Sequence, residues 1–188
     1  MGDETAIRAR CDAGDHAGAL TAAISMYGEE LFGFLVGLAR DRAHAEDVFS
    51  ATCERIWRAL PTFRWDSSFR SWGYRIARNT FLSEARRAYR REELAISDIA
   101  EVQVAIKNVT TAPNHQRDTV KEKFAQIRAE LDADDHMLLG LRIDRQLGWA
   151  DIARVMANDE AEPTAKDLAA LRKRYERLKA RLRERMTE

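Results

Sequence analysis

The stretch SFRSWGYRIARNTFLSEARRAYRR, residues 68–91, combines positive charge with aromatic rings in one short segment. It carries seven arginines but only one acidic residue, Glu84. Phe69, Trp72 and Ile76 recur at helical spacing, so they share one side of a helix whose other sides carry arginines. The stretch therefore predicts an amphipathic helix with a basic outer surface, and Asp66, Ser67 or Ser68 can cap its start.

The composition of the whole chain is that of a helical protein. Glycine (9) and proline (3) are scarce among the 188 residues, and the abundant alanine, leucine, arginine and glutamate favour helices. No sustained alternation of β-branched residues predicts a strand. Two cysteines, Cys11 and Cys53, are too few for a disulfide framework or a cysteine-based metal site, and we expect neither a metal nor a cofactor.

Apolar stripes divide the chain into two helical parts. Stripes follow residues 16–39 and 43–60, and Pro61 closes the second of them. The first stripe consists of Leu20, Ile24, Tyr27, Leu31, Phe34 and Leu38. The pattern weakens over residues 93–118, where Pro113 and Asn114 would interrupt a helix. We therefore predict an all-α fold with two small helical domains, 1–92 and 119–188, joined by a linker over 93–118.

The second domain has the pattern of a helix-turn-helix. A short connection, RQLGW, precedes the apolar helix ADIARVMA, and the polar stretch NDEAEPT follows it. Thr164 can cap a last, long helix that has one apolar stripe and otherwise basic faces. Such a helix is typical of the recognition helix that enters the DNA major groove.

The zero net charge conceals two basic blocks. Residues 54–91 hold 10 basic and 3 acidic side chains, and residues 166–188 hold 9 and 4. Attraction to phosphate acts within about 8–10 Å in salt solution, so the local excess counts more than the total. The distribution favours nucleic-acid binding by both blocks. The simpler alternative is that these arginines and lysines only solvate two amphipathic helices.

The first basic block also fits a single-stranded ligand. The rings of Trp65 and Tyr74 lie close in sequence to arginines, and aromatic rings stack on bases at about 1–3 kcal/mol per base. The alternative is that Trp72, Tyr74 and Phe81 belong to the core. Duplex binding in one domain and single-strand binding in the other would suit a protein that opens DNA.

Four segments resemble the extracytoplasmic-function (ECF) sigma factors of bacterial RNA polymerase. CDAGDHAGALTAAISMYGEELFGFL (11–35) resembles their N-terminal lead-in. AEDVFSATCERIWRALPTFRWDSSFRSWGYRIARNTFLSEARR (45–87) resembles their region two. LDADDHMLLGLRIDRQLGWADIARVM (131–156) resembles region four, and LRKRYERLKARLRE (171–184) resembles its recognition helix. The resemblance implies a non-enzymatic initiation factor that binds the polymerase core and directs it to promoters. It would read the minus-thirty-five element as duplex and the minus-ten element as melted strand.

The resemblance also implies three sets of site residues. The minus-ten set consists of Arg64, Trp65, Asp66, Ser67, Arg75, Arg78, Asn79, Arg86 and Arg87. The minus-thirty-five set consists of Arg172, Lys173, Arg174, Glu176, Arg177 and Lys179. The core polymerase set consists of Glu46, Asp47, Glu54, Arg55 and Trp57. Glu46 and Asp47 have an alternative role as acids that stabilise the start of a helix.

The expected partners are RNA polymerase core and promoter DNA. An anti-sigma factor that clamps the basic faces of both domains is a further hypothesis. Residues 1–15 do not resemble a signal peptide and the apolar runs are too short to cross a bilayer, so we expect a cytoplasmic protein without membrane insertion. Two other functions stay open: a stand-alone helix-turn-helix repressor that uses residues 1–91 for dimerisation or sensing, and an all-helical enzyme.

Overall fold

The computed structural model describes residues 4–39, 41–95, 131–157 and 162–187, and all regular structure in these ranges is helical. The helices are α1 (Thr5–Asp12), α2 (His16–Ala39), α3 (Arg42–Ala59), α4 (Phe69–Ala95), α5 (Ala133–Leu139), α6 (Trp149–Met156) and α7 (Ala165–Thr187). A 3-10 turn, Leu60–Thr62, follows α3, and α5 continues into a π-helical turn, Gly140–Asp144. The predicted all-α class is confirmed.

Two helix starts lie where the sequence placed them. The Ser68 hydroxyl accepts a hydrogen bond from the Ser71 N–H at the start of α4. At the start of α7, the N–H of Asp167 donates to the Thr164 hydroxyl, and the N–H of Thr164 donates to the Asp167 carboxylate. This reciprocal pair is a capping box. Hydrogen bonds from the hydroxyl and the backbone N–H of Thr164 hold the pKa of the Asp167 carboxylate below its usual value.

Helix α2 lies at the centre of the first half and packs against α1, α3 and α4. Tyr27, Leu31 and Phe34 of the predicted stripe are buried, whereas its other members are only half-buried. Ala19, Ala23 and Leu35 are buried as well. Because three helices cover α2, its buried side is wider than the single stripe that the sequence suggested.

By length and composition alone, the 24-residue helix α2 is also long and apolar enough to cross a membrane, with a mean hydropathy of 1.3 over an 18-residue window. Judged by length and composition alone, the expectation that no apolar segment is long enough to cross a bilayer does not hold for this helix. A core helix passes the same test, and α2 packs in the interior through Leu31 and Leu35.

Helix α4 is buried on more than one side. Phe69, Tyr74 and Ala77 are buried, whereas Trp72 and Ile76 are half-buried. The prediction that Tyr74 lies on a single-strand surface is therefore wrong. Its ring packs edge-on against Phe34, with centroids 5.1 Å apart. Packing of α4 against α2, α3 and α6 leaves no open face for this ring.

Two buried tyrosines donate to carboxylates in this half. The Tyr74 hydroxyl donates to Glu30 at 2.8 Å, and the Tyr27 hydroxyl donates to Glu4 at 2.9 Å. Burial raises the pKa of both phenols above the ordinary value, and the neighbouring carboxylates raise it further. Both tyrosines therefore keep their protons in the folded chain at a pH that ionises an unfolded tyrosine.

This shift predicts a loss of stability in alkali. Below about pH 10 both states hold the protons, and above it the unfolded state releases them first. The free energy of unfolding should then fall by up to about 1.4 kcal/mol per pH unit for each tyrosine. Urea unfolding at several pH values between 9 and 11.5 measures this fall. The Tyr27→Phe, Tyr74→Phe double variant should show a shallower fall, and an identical fall would contradict the assignment.

The apolar side chains of the second half belong partly to the main buried cluster and partly to a smaller one. Met137, Leu138 and Leu141 of the α5 segment pack with Ile152 and Val155 of α6. Leu178 and Leu182 of α7 pack on Leu139 in a smaller cluster. Both leucines belong to the predicted stripe of the last helix. Met186, its last predicted member, lies outside the residues whose side chains are described.

The two halves are in contact through α4 and α6, and a single buried cluster contains residues of both. The Arg70 guanidinium donates to the carbonyl of Arg145 at 2.8 Å and also pairs with Glu30. Asp134 accepts from Arg78 of α4 at 3.3 Å and lies 3.8 Å from Arg174 of α7. One carboxylate thus joins the two basic helices.

The predicted domain boundaries are only partly covered. Helix α4 continues to Ala95, three residues beyond the predicted end of the first domain at 92. The remainder of the predicted linker and the start of the second domain, residues 96–130, lie outside the described residues. The division into two domains stays a prediction.

Candidate nucleic-acid and polymerase interfaces

The loop between the 3-10 turn and α4 is held by an aromatic cluster. Phe63 stacks on Trp72 with ring centroids 4.4 Å apart, and it contacts Trp65 at 4.7 Å. Trp65 has a φ of 62°, in the left-handed region that non-glycine residues rarely adopt. The aromatic packing fixes the loop, while Arg64 and Asp66 remain exposed and Ser67 is half-buried.

A groove of about 650 Å³ lies beside this loop. Arg64, Asp66 and Ser67 line it on one side, and Trp72 and Arg75 of α4 continue the wall. Arg154 and Glu162 of the second half also reach the groove. Four of the predicted minus-ten residues thus share one cleft. Its combination of an aromatic wall with charged and polar edges suits a flipped base.

The other predicted minus-ten residues lie along α4 in two different environments. Asn79, Arg86 and Arg87 are exposed, and Arg87 pairs with Glu84 at 2.9 Å. Arg78 is only 4% exposed and pairs with Asp134 across the contact between the halves. Its Nε atom is buried without a hydrogen-bond partner among the described residues. In this conformation Arg78 is therefore inaccessible to a phosphate.

The predicted polymerase residues share the outer surface of α3. Glu46, Asp47, Glu54 and Trp57 are exposed, and Arg55 is half-buried. Trp57 is 51% exposed, an unusual position for the largest apolar side chain. This residue lines a shallow groove with His16 and Pro61.

The start of α3 bears on the alternative role of Glu46 and Asp47. Asp41 is the N-cap and accepts from the N–H groups of Ala43 and His44. Helix α3 begins at Arg42, so both acids lie beyond its first turn. The helix dipole acts mainly within that turn, which weakens the alternative.

The predicted minus-thirty-five residues fall into an exposed group and a tethered group. Arg172, Lys173, Glu176 and Arg177 are exposed on α7. Lys173 and Arg177 form no ion pair with another residue that the structure describes, so both cations are available to DNA.

The tethered residues contact their own half of the protein. Arg174 donates to the buried carboxylate of Asp135 at 2.6 Å and pairs with Asp132 at 3.1 Å. Lys179 pairs with Glu176 and lies over the ring of Tyr175 at 5.0 Å. Arg174 therefore fixes α7 on α5, and Lys179 is partly neutralised.

Several contacts of these surfaces had no signal in the sequence. Glu4 and Arg8 of α1 touch the loop and the start of α4, and Arg154 reaches the loop groove from α6. In the ranges that the structure describes, no three His, Cys, Asp or Glu side chains could hold a metal ion together.

Known proteins match this chain over most of its length. The sigma-70 region 2 family model matches residues 23–91. The RNA polymerase sigma-H factor of Pseudomonas aeruginosa is 31% identical over 136 residues, which cover 69% of this chain and 70% of the relative. The ECF RNA polymerase sigma factor SigM of Bacillus subtilis is 26% identical over 136 residues, with 72% and 80% covered. The chain belongs to the ECF sigma factors.

Solved structures share the fold of this chain. RpoE from Bartonella quintana, in complex with the anti-sigma factor NepR, superimposes with a TM-score of 0.66 at 20% identity. The match covers 89% of this chain and 96% of that one. CnrH, in complex with the cytosolic domain of CnrY, gives a TM-score of 0.61 at 19% identity and covers 95% and 93%. Because the family model and the curated relatives are those of sigma factors, this ECF sigma factor is a transcription initiation factor for RNA polymerase and not an enzyme.

Proposed function

We propose that this ECF sigma factor reads two promoter elements with two different surfaces. Region two, residues 1–92, binds the minus-ten element as a melted strand through the loop groove and the basic side of α4. Region four, residues 119–188, binds the minus-thirty-five duplex through the exposed residues of α7. The observation that carries the proposal is the pairing of a basic aromatic groove with a separate basic helix.

The α7 surface supports duplex reading. Lys173 and Arg177 are exposed without ion-pair partners in the described ranges, and Arg177 suits the O6 and N7 acceptors of guanine. Glu176 can accept from cytosine N4. Arg172 is exposed for a phosphate, which positions the helix but does not specify sequence.

The α3 surface supports binding to the polymerase core. Trp57 supplies a large apolar side chain surrounded by charged neighbours, the combination typical of an energetic centre of a protein interface. One structural relative, RpoE, is bound to an anti-sigma factor, and the other, CnrH, is bound to the cytosolic domain of CnrY. We extend the proposal to a similar inhibitory protein partner for this chain, acting in the cytoplasm.

Run-off transcription with bacterial core polymerase and a pool of host promoter fragments tests this function. Addition of the protein should produce specific transcripts. Arg177→Ala should lower their yield about 5- to 150-fold, because one bidentate base contact contributes about 1–3 kcal/mol. Trp65→Ala should lower it over a similar range, by removal of a stacking ring.

The control is Lys166→Gln, which removes an exposed charge from the same helix outside the predicted contact set. It should transcribe almost as well as the unmodified protein. Absence of transcripts, together with tight binding of the protein alone to particular duplexes, would contradict the proposal. That result would favour the stand-alone repressor.

A further inference from the structure

Helix α1 is bonded to the start of α4, although 65 residues separate them in sequence. The Glu4 carboxylate accepts hydrogen bonds from the N–H groups of Phe69 at 2.7 Å and Arg70 at 3.0 Å. These are two of the N–H groups that a helix leaves without internal partners. Since Ser68 satisfies the Ser71 N–H, the first turn of α4 is capped from two sides.

Glu4 is itself fixed in place. The buried hydroxyl of Tyr27 in α2 donates to the same carboxylate at 2.9 Å. Ile7 of α1 is fully buried in the main core cluster. The carboxylate thus links α1, α2 and α4 at the point where the minus-ten loop joins its helix.

Arg8, four residues after Glu4, contacts the loop directly. Its guanidinium lies 5.5 Å from the centroid of the Trp65 ring. Four residues are about one helical turn, so Arg8 and Glu4 share one side of α1. Trp65 has an uncommon left-handed backbone, and its ring contacts both Phe63 and Arg8. The orientation of the predicted stacking ring therefore depends on α1.

An open groove of about 490 Å³ separates α1 from the loop. Glu4, Thr5, Arg8, Ala9 and Asp12 form one wall, and Trp65 forms the other. Arg8 is exposed, and its guanidinium lies over the Trp65 ring where both residues line this groove.

We propose that α1 is part of the minus-ten reading surface, an inference that rests on the proposed function. Glu4 is a positioning residue that sets the start of α4 and, through it, the loop. Arg8 holds the Trp65 ring in the orientation that stacks on an unpaired base. The ligand is one unpaired nucleobase of the melted strand.

The test measures binding of the full-length protein with core polymerase to a fluorescent single strand that carries a minus-ten element. The strand comes from a promoter found by run-off transcription. Arg8→Ala should weaken binding about three-fold, the range of an exposed cation–π contact. Glu4→Ala should weaken it about ten-fold, because the loop loses its anchor. Arg10→Gln, on the same helix but paired with Asp15, is the control and should bind normally.

A second series separates positioning from a general structural effect. Each base of the minus-ten strand is replaced in turn by an abasic site. At the position whose base stacks on Trp65, the Arg8→Ala variant and the unmodified protein should bind equally, because the contact that α1 supports is already gone. A three-fold loss that persists on every abasic strand would overturn the inference, as would normal binding of Arg8→Ala to the intact strand.

The outcomes distinguish this inference from the function on which it rests. If the unmodified protein with core polymerase does not bind the strand, the proposed minus-ten function itself is wrong. If the unmodified protein binds and both α1 variants bind as well, only the role of α1 fails. Arg8 is exposed, so its variant should stay folded and keep the test decisive even where Glu4→Ala unfolds.

Discussion

Replacement of Asp135 with alanine is expected to lower the free energy of unfolding by about 3 kcal/mol, the lower end of the cost of breaking a buried ion pair. Asp135 is 3% exposed and accepts from Arg174 at 2.6 Å and from Arg181. Its loss leaves Arg174 without its shortest partner and frees α7 from α5. We choose the lower end because both arginines reach solvent, which softens the loss.

Urea unfolding, followed by circular dichroism at 222 nm, measures this change. Glu176→Ala is the matched control, since it removes an exposed carboxylate that pairs with Lys179 on the same helix. Exposed pairs contribute less than about 1 kcal/mol, so the control should unfold almost like the unmodified protein. Equal midpoints for Asp135→Ala and the control would show that the Asp135 cluster does not hold α7.

Replacement of Trp57 with alanine is expected to weaken binding to the polymerase core by at least about 2 kcal/mol, or roughly thirty-fold. A large ring that is half exposed contributes little to the core of its own domain. The same ring, buried against a partner, contributes a large apolar area. Titration of labelled protein with core polymerase, followed by fluorescence anisotropy, measures the dissociation constant.

Met26→Ala is the control for this experiment. Met26 is 38% exposed and is on α2, outside the proposed polymerase surface. The two variants should have similar thermal stability, and only Trp57→Ala should lose affinity. Unchanged affinity of the Trp57→Ala variant would show that the polymerase core does not bind to the outer surface of α3 through Trp57.

Local features were predictable from the sequence because they depend on residues close in the chain. The Ser68 and Thr164 caps follow from residue types within one helical turn. The role of Tyr74 did not follow, because an aromatic residue among arginines has the same pattern in a core as on a surface. Only the packing of α4 against three helices decides between them.

The site residues show the same division. Arginine is recognisable as a phosphate-binding residue type, but its partner depends on tertiary contacts. Arg177 is exposed as expected, whereas Arg78 and Arg174 are bonded to acids of the α5 segment. The cap that Glu4 forms on α4 was not predictable from local sequence. About 65 residues separate Glu4 from the N–H groups of Phe69 and Arg70, which donate hydrogen bonds to it.

The contacts of the Asp134 carboxylate have a consequence for how the protein can bind two separated promoter elements. This carboxylate contacts Arg78 of one proposed DNA surface and lies near Arg174 of the other. The minus-ten and minus-thirty-five elements are about 25 base pairs apart, which is about 85 Å along duplex DNA. Residues 96–130 could span about 115 Å at full extension, so chain length permits that distance. A promoter read at both elements would therefore pull the halves apart and return Arg78 to the solvent.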